Sequence, residues 1–265
     1  MVADVRHNAG MTPPLHITSR DNPLLKRLRL LVRDPGAYRK QGQVWLEGDH
    51  LCRAMVARGR QPELAVFSES FWPSAHDLID VSAIKCVIVP DALMRDISSL
   101  ETPSRMGCLA NLPAADGLNP LLPTLILDRV QDAGNVGSML RSAAAFGVLQ
   151  VVALKGTAAL WSAKVLRAGM GAHFGLELHE GLLPDDLATL QVPWVVTSSH
   201  QGEWLHQASL PWPCAWVMGH EGQGVSEALM ARASRCVRIA QPGGEESLNV
   251  AAAAAICLHA SAPKP

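Results

Sequence analysis

The sequence predicts an α/β protein in two parts: a small mixed unit, then a mostly parallel sheet covered on both faces by helices. Three observations predict it. Past residue 123, short apolar runs bounded by turn residues alternate with helical stretches, the pattern of a parallel sheet whose strands are buried on both sides. A segment with three prolines and one glycine, Pro113 to Pro123, interrupts the chain before that alternation begins and reads as a linker. And 265 residues with 48% hydrophobic content suffice for two ordinary domains and a sizeable core.

Met1 to Pro14 holds polar residues, a glycine and two prolines where a secretory leader needs an uninterrupted apolar core, so residues 1–14 are expected to be a mobile tail on a cytoplasmic protein. The first unit, 15–112, opens with a helix at Asn22-Pro23: proline suits a first turn, and Leu24, Leu25, Leu28, Leu31 and Val32 fall on one face. Strands are expected at Val44–Glu47, Leu64–Phe67, Cys86–Val89 and Met106–Ala110, with helices at His50–Ala57 and Ala92–Ile97 between them. The second unit, 124–265, has expected strands at Leu125–Asp128, Gln150–Ala153, Trp194–Thr197, Ala215–Met218 and Cys236–Ile239. Its expected helices are Val136–Phe146, Ala163–Ala168, Ser226–Ala233 and Leu248–His259. No internal repeat is visible.

Several function classes lose support at once. The longest apolar run, Val250 to Cys257, is far short of the roughly 20 residues a membrane-spanning helix needs. The six cysteines are scattered without a CxxC pair, and the ten histidines form no HExxH, so no metal site is expected. Net charge is −1, yet from Arg20 to Arg60 ten Lys or Arg face four Asp or Glu. That basic stretch, with Arg20, Lys26 and Arg27 in it, is either a solvated helix face or a surface for phosphate.

Ligands of open parallel sheets bind beyond the carboxyl ends of the strands. The unusual residues of this chain follow strand ends: Thr197-Ser198-Ser199, Gly219-His220-Glu221-Gly222-Gln223-Gly224 and Gln241-Pro242-Gly243-Gly244. Three small-residue loops are expected to converge on one ligand. The glycines of the second loop fall in GxxGxG order with no Lys-Ser/Thr after them, which fits neither a triphosphate loop nor a dinucleotide fingerprint. Upstream, Asp128 to Gly137 leads into a helix carrying Arg141, with Asn135 placed to cap it. Glu221 needs a partner in its close-packed loop, and Arg141 is the expected one. Glu245-Glu246-Ser247-Leu248-Asn249 reads as the start of the last helix, with Ser247 as its cap.

Taken together, Asn135 with Arg141, Gly219 to Gly224, and Ser247-Leu248-Asn249 resemble, in order and context, the three motifs of the SpoU (TrmH-like) RNA methyltransferases. The resemblance covers about Thr124 to Ala260. The first unit, from Val44-Trp45-Leu46-Glu47-Gly48 to Met106-Gly107-Cys108-Leu109-Ala110, resembles the RNA-binding domain that many members carry in front. What it implies is a trefoil-knotted (SPOUT-type) sheet, a homodimer, and S-adenosyl-L-methionine bound by Thr197, Gly219, Gly222, Ile239 and Leu248, largely through their backbones. It further implies methylation of a ribose 2′-hydroxyl, with Asn135, Ser247 and Asn249 aligning the ribose, Arg141 as the main catalytic group and Glu221 orienting it or completing the pocket floor. A guanidinium keeps its proton in proteins, so gripping phosphate or stabilising a developing alkoxide suits Arg141 better than accepting a proton. Lys164 and Arg167 lie in a stretch that resembles a family segment able to touch RNA, although Gly169 stands where relatives commonly have serine.

Two rivals come from other classes. An RNA-binding or assembly protein that had lost turnover would show damaged motifs, and these are intact. A nucleotide-dependent oxidoreductase would need a glycine fingerprint after the first strand of the sheet, and the glycines after Asp128 do not match one. Within the enzyme reading the substrate is ribosomal RNA, favoured by the extra N-terminal domain, or transfer RNA.

Overall fold

The computed structural model of the protein describes residues 13–77, 84–114, 116–244 and 247–263. The chain divides into two compact units, Met1–Leu112 and Pro113–Pro265. Residues 1–12 of the expected tail lie outside the described residues, as do Glu245 and Glu246.

The first unit runs β1 (Leu15–His16), α1 (Pro23–Arg33), α2 (Ala37–Gln41), β2 (Gln43–Glu47), α3 (Asp49–Ala57), β3 (Leu64–Ser68), β4 (Cys86–Val89), α4 (Asp91–Asp96) and β5 (Met106–Asn111). Its sheet has the order β1-β4-β3-β5-β2, with β5 antiparallel to both of its neighbours. Helix α1 starts because the Asn22 carboxamide oxygen accepts from Leu24 N at 2.9 Å, with Pro23 in the first turn. Leu25, Leu28 and Leu31 are buried, and the basic residues between them stay nearer solvent.

The second unit runs β6 (Thr124–Leu127), α5 (Ala133–Ala145), β7 (Gln150–Leu154), α6 (Ala163–Gly169), β8 (Glu177–Leu182), β9 (Trp194–Thr197), β10 (Glu203–Trp204), β11 (Ala215–Met218), α7 (Glu227–Met230), β12 (Arg235–Arg238) and α8 (Val250–Ser261). The sheet order is β10-β12-β9-β11-β6-β7-β8, and every pair in it is parallel. One face packs Ile126, Val152, Val196 and Val217 against Leu187 and Leu229. On β11, Trp216 is fully buried and donates its indole N–H to Ser261 Oγ at 2.8 Å, fastening the end of α8 to the sheet. The helix expected at Ser226–Ala233 is a four-residue turn, α7. From Leu118 on, the expected linker is tied to this unit: Asn119 N donates to Gln150 Oε1 at 2.9 Å, and Gln191 N to Pro120 O at 2.9 Å.

Because the strands are parallel, Asp128, Ser198, Gly219 and Ile239 all leave the sheet from the same edge. With β11 between β6 and β9, loops distant in sequence become neighbours in space.

Helices α5 and α6 approach closely at Gly137. A Cβ there would lie 2.4 Å from Ala168 Cβ, 2.7 Å from Val165 O and 2.9 Å from Gly169 N. Two of those atoms are backbone and cannot rotate away. Gly137→Ala is expected to cost roughly 1–3 kcal/mol of stability, read as a lower urea midpoint with an unchanged slope.

His173 is fully buried beside Trp161, with ring centroids 5.1 Å apart. Its Nε2 lies 2.9 Å from Leu160 O, which can only accept, so Nε2 carries the proton of the neutral ring. Burial pushes its pKa down to about 4, against the smaller upward pull of that carbonyl. An unfolded histidine takes up its proton near pH 6.5, so this contribution to stability is complete above that pH and is lost as pH falls toward 4. Between pH 7 and pH 5 the loss from this one group is expected to be about 2 kcal/mol. Denaturant titrations at both pH values check it, with His173→Leu expected to remove this part of the slope.

Candidate active site

Beyond the carboxyl edge of β9, β11 and β12 lies a cavity of about 460 Å³ lined by the 197–200 loop, the 219–225 loop, Ile239, Gln241 and the 247–250 segment. The three loops do meet. Thr197, Gly219, Gly222, Ile239 and Leu248 all line it, together with Glu221 and Ser247. Val225, Met230, Val237, Ile239 and Leu248 give it an apolar wall, and its volume is that of a small-molecule site.

The 219–224 loop is closed on itself. His220 N donates to Gly224 O at 3.1 Å, and Gly224 N to His220 O at 2.8 Å. Inside that turn His220 Nδ1 accepts from Gly222 N at 2.9 Å and Gln223 N at 3.2 Å, a brace that the sequence did not signal. A second brace comes from the end of β6. Asp128, buried, accepts from Ser226 N at 2.6 Å and pairs with Arg129 Nε at 3.0 Å, while Arg129 Nη1 donates to Gln223 Oε1 at 2.9 Å. Arg129 holds a left-handed backbone, φ 59°, which a side-chain-bearing residue adopts at a cost met by these bonds. A charged pair directly after a buried strand was the available clue.

Glu221 does not pair with Arg141. Its carboxylate accepts from Gln131 N at 3.1 Å, Asp132 N at 3.0 Å and Asn135 Nδ2 at 3.2 Å. The loop lays it over the start of α5, where backbone N–H groups lack helical partners, and those donors satisfy the charge without an arginine. Burial alone would raise its pKa; the N–H groups of Asp132 and Gln131 and the Asn135 amide outweigh it and hold the carboxyl below its ordinary value.

Asn135 is not the cap of α5 either. Asp132 is the cap, accepting from Asn135 N at 2.8 Å, because it stands one residue before the helix while Asn135 lies in the first turn. The N–H of Asn135 first, then the Lys164 ammonium at 3.1 Å, keep Asp132 below the usual carboxylate range. This frees the Asn135 side chain to bridge: its Nδ2 reaches Glu221, and its Oδ1 accepts from Asn249 Nδ2 at 3.0 Å. Asn249 in turn caps α8, accepting from Ala251 N at 2.9 Å and Ala252 N at 3.3 Å. Ser247, expected as that cap, lies three residues before the helix starts at Val250 and borders the cavity instead. Glu221, Asn135 and Asn249 thus form one hydrogen-bonded chain that links the 219–224 loop, the first turn of α5 and the cap of α8.

Arg141 lies on the exposed side of α5, about one residue short of two turns beyond Asn135 and roughly 9 Å along the axis, and does not line the cavity. Among the described residues no hydrogen bond or ion pair engages it. Lys164 is exposed on α6 and paired with Asp132; Arg167 is half-buried on the same helix. In the first unit Arg20 pairs with Asp96 at 2.7 Å and Lys26 with Asp21 at 3.1 Å, all four at least partly exposed, and Arg27 lies on α1 beside them. Among the described residues no group of three His, Cys, Asp or Glu could hold a metal ion.

Residues 123–259 match the SpoU rRNA Methylase family. The chain is 31% identical to the 23S rRNA (guanosine(2553)-2′-O)-methyltransferase RlmP of Bacillus subtilis, over 81% of this chain and 86% of that one. It is 30% identical to an uncharacterized tRNA/rRNA methyltransferase of Synechocystis, over 92% of each. Among solved structures, a TrmH-family RNA methyltransferase from Porphyromonas gingivalis superposes with a TM-score of 0.77 at 30% identity, over 90% of this chain and 96% of that one. Fold and site define an RNA methyltransferase built on a mostly parallel, trefoil-knotted sheet. The chain belongs to the SpoU rRNA methylase family.

Proposed function

We propose that this protein methylates a ribose 2′-hydroxyl of ribosomal RNA with S-adenosyl-L-methionine as donor. The observation that carries the reading is the meeting of three loops around one cavity, with the Glu221–Asn135–Asn249 chain tying two of them, the 219–225 loop and the segment before α8, to the start of α5.

The residues fit the donor. Thr197, Gly219, Gly222, Ile239 and Leu248 offer a small-residue rim and an apolar wall, suited to a molecule with one flat ring and one charged end. Bound there, S-adenosylmethionine would supply an electrophilic methyl group: in-line attack by the ribose oxygen would break the methyl–sulfur bond, leave S-adenosylhomocysteine and release the hydroxyl proton to solvent water. Asn135 and Asn249, held in fixed orientation by Glu221 and by the α8 N-terminus, position the ribose for that attack. Ser247, exposed at the cavity rim, is free to donate or accept at the same ribose. Glu221 is a positioning residue: three N–H groups occupy its carboxylate. Arg141 grips a phosphate and stabilises the negative charge that develops on the attacking oxygen.

Lys164 and Arg167, on the helix beside α5, contact RNA phosphates. The Met1–Leu112 unit, with Arg20, Lys26 and Arg27, binds the substrate away from the reacting nucleotide. The protein works as a homodimer; exposed Ile256 on α8 and Leu149 after α5 support a second apolar contact for this unit. It acts in the cytoplasm; among the described residues no helix is long and apolar enough to cross a membrane.

Tritium transfer from labelled S-adenosylmethionine to total RNA of a strain lacking the protein tests the proposal. Label in 23S or 16S RNA, recovered after digestion as a 2′-O-methylnucleoside, is the expected result. Label in transfer RNA would favour the other substrate, which the name of the Synechocystis relative also allows. RNA binding with no label at any protein concentration would sink the catalytic reading.

A further inference from the structure

Resting on the cofactor reading above, we propose that His220 is a positioning residue for donor binding: its neutral ring holds the 219–224 turn closed, and its protonation opens that turn and weakens the site for S-adenosylmethionine.

The turn is closed twice. Outside, His220 and Gly224 exchange their backbone N–H and C=O groups at 3.1 Å and 2.8 Å. Inside, the amides of Gly222 and Gln223 both donate to one atom, His220 Nδ1, at 2.9 Å and 3.2 Å. An amide N–H can only donate, so Nδ1 offers its lone pair and the ring proton sits on Nε2. Two backbone N–H groups converging on one point make the kind of concavity that binds anions, and here a neutral imidazole nitrogen fills it. Proton uptake reverses the fit. An imidazolium carries N–H at both nitrogens, so Nδ1 would set a third donor and a positive charge against the two amides. The ring then has to leave, and Gly222 N and Gln223 N lose their acceptor.

The effect reaches the cavity because the turn is its rim: Gly219 to Val225 all line it. His220 therefore acts through its loop and needs no contact with the ligand. The same turn carries Glu221 to the backbone N–H groups of Gln131 and Asp132. The tie from Arg129 Nη1 to Gln223 Oε1 holds a side chain and leaves Gln223 N to the imidazole. The charged and titratable groups around the turn are Glu221 on the turn itself, His200 in the 197–200 loop, and Asp128 with Arg129 at the end of β6, which form an ion pair. Met230, Ser247, Leu248 and Val250, which complete that side of the cavity, carry no charge. Among the described residues the ring's hydrogen bonds are those two amides alone, so they are what reads its proton state.

Calorimetric titration with S-adenosylhomocysteine at pH 7.5 and pH 5.5 tests the assignment without methyl transfer, on wild type, His220→Asn and His220→Ala. Asparagine places an amide oxygen near the position of Nδ1, an acceptor that does not titrate, and is expected to bind within about threefold of wild type at pH 7.5. Over the drop to pH 5.5, the range in which histidines take up a proton, wild type is expected to lose at least threefold more affinity than His220→Asn. His220→Ala leaves both amides without an acceptor and is expected to bind at least tenfold more weakly than wild type at pH 7.5. His173 and His200 are common to all three proteins, so any pH dependence of their own cancels in the comparison. The same loss on acidification in wild type and His220→Asn, none in either included, would overturn the assignment, and so would wild-type affinity in His220→Ala. Should the alanine variant not fold, the asparagine comparison decides by itself. If wild type binds no S-adenosylhomocysteine at pH 7.5, the cofactor reading itself falls, and this inference with it.

Discussion

Replacing Arg141 by alanine is expected to slow methyl transfer by about a thousandfold while leaving affinity for S-adenosylhomocysteine within about tenfold. The asymmetry follows from where the side chain stands. Arg141 is on the solvent side of α5 and outside the cavity lining, so it contributes nothing direct to holding the donor. Other arginines of this unit are committed: Arg129 to Asp128 and Gln223, Arg235 to Glu203, Arg238 to the face of Trp204. Arg141 has no such engagement among the described residues, and it shares a helix with Asn135, whose side chain is fixed by both Glu221 and Asn249. A guanidinium that is left free within the chain yet anchored on a rigid helix is suited to RNA, and most of all to charge that appears only as the 2′-oxygen attacks. Removing it therefore strikes kcat. Arg141→Lys keeps the charge but loses the planar fork, and is expected to recover only part of the rate. Single-turnover label transfer paired with calorimetry decides the matter: an alanine variant that loses donor affinity along with rate would move Arg141 from catalysis to cofactor binding.

Much of this arrangement was legible in the sequence, and the reason is the burial of parallel strands. Thr124–Leu127, Gln150–Leu154, Trp194–Thr197 and Ala215–Met218 are buried through most or all of their length, so each reads as a short apolar run between turn residues. The same logic explains the strands that were missed. β8 lies at the edge of the sheet, buries only His179 among otherwise exposed or half-buried residues, and shifts register against β7 near Leu154. β10 is two residues long, also at an edge, and carries no periodicity at all.

At the site, residue types were legible and their partners were not. Asp132 and Asn135 are both good helix caps, as are Ser247 and Asn249; which one caps depends on where the first helical turn closes, and that is set by packing. The correct choices have consequences for chemistry, since an Asn135 spared from capping is free to bridge Glu221 and Asn249. Glu221 exposes a different limit. A carboxylate can be satisfied by backbone N–H groups as well as by arginine, and no pattern of side chains reveals which backbone will pass beneath it. His220 was hidden for the same reason, since what its ring braces is the backbone of its own loop.

The second large effect is expected at Gly219, where alanine should cost at least a hundredfold in S-adenosylhomocysteine affinity and roughly 1–3 kcal/mol of stability. A Cβ at this position would lie 2.1 Å from the carbonyl carbon of Gly224, 2.2 Å from Val225 N and 2.4 Å from Gly224 O. All three are backbone atoms on the returning arm of the same loop, so no rotamer change can make room. Relief requires the two arms to part, and parting them breaks the paired bonds between His220 and Gly224 that close the loop. With the turn open, Glu221 loses its place above the start of α5, and the rim of the cavity from Gly219 to Val225 goes with it. The loss thus spreads from one methyl group to the donor site and to the support of Asn135 together. Gly243→Ala is the matched control: it lies in another loop beside the cavity, its Cβ would meet nothing within 4 Å, and its backbone is outside the left-handed region. Calorimetric titration and thermal unfolding of the pair separate steric closure from a general intolerance of loop substitution. Gly219→Ala with near-native affinity would mean that the 219–224 turn can open without disturbing the donor site, and the case for a rigid, preformed cavity would be lost.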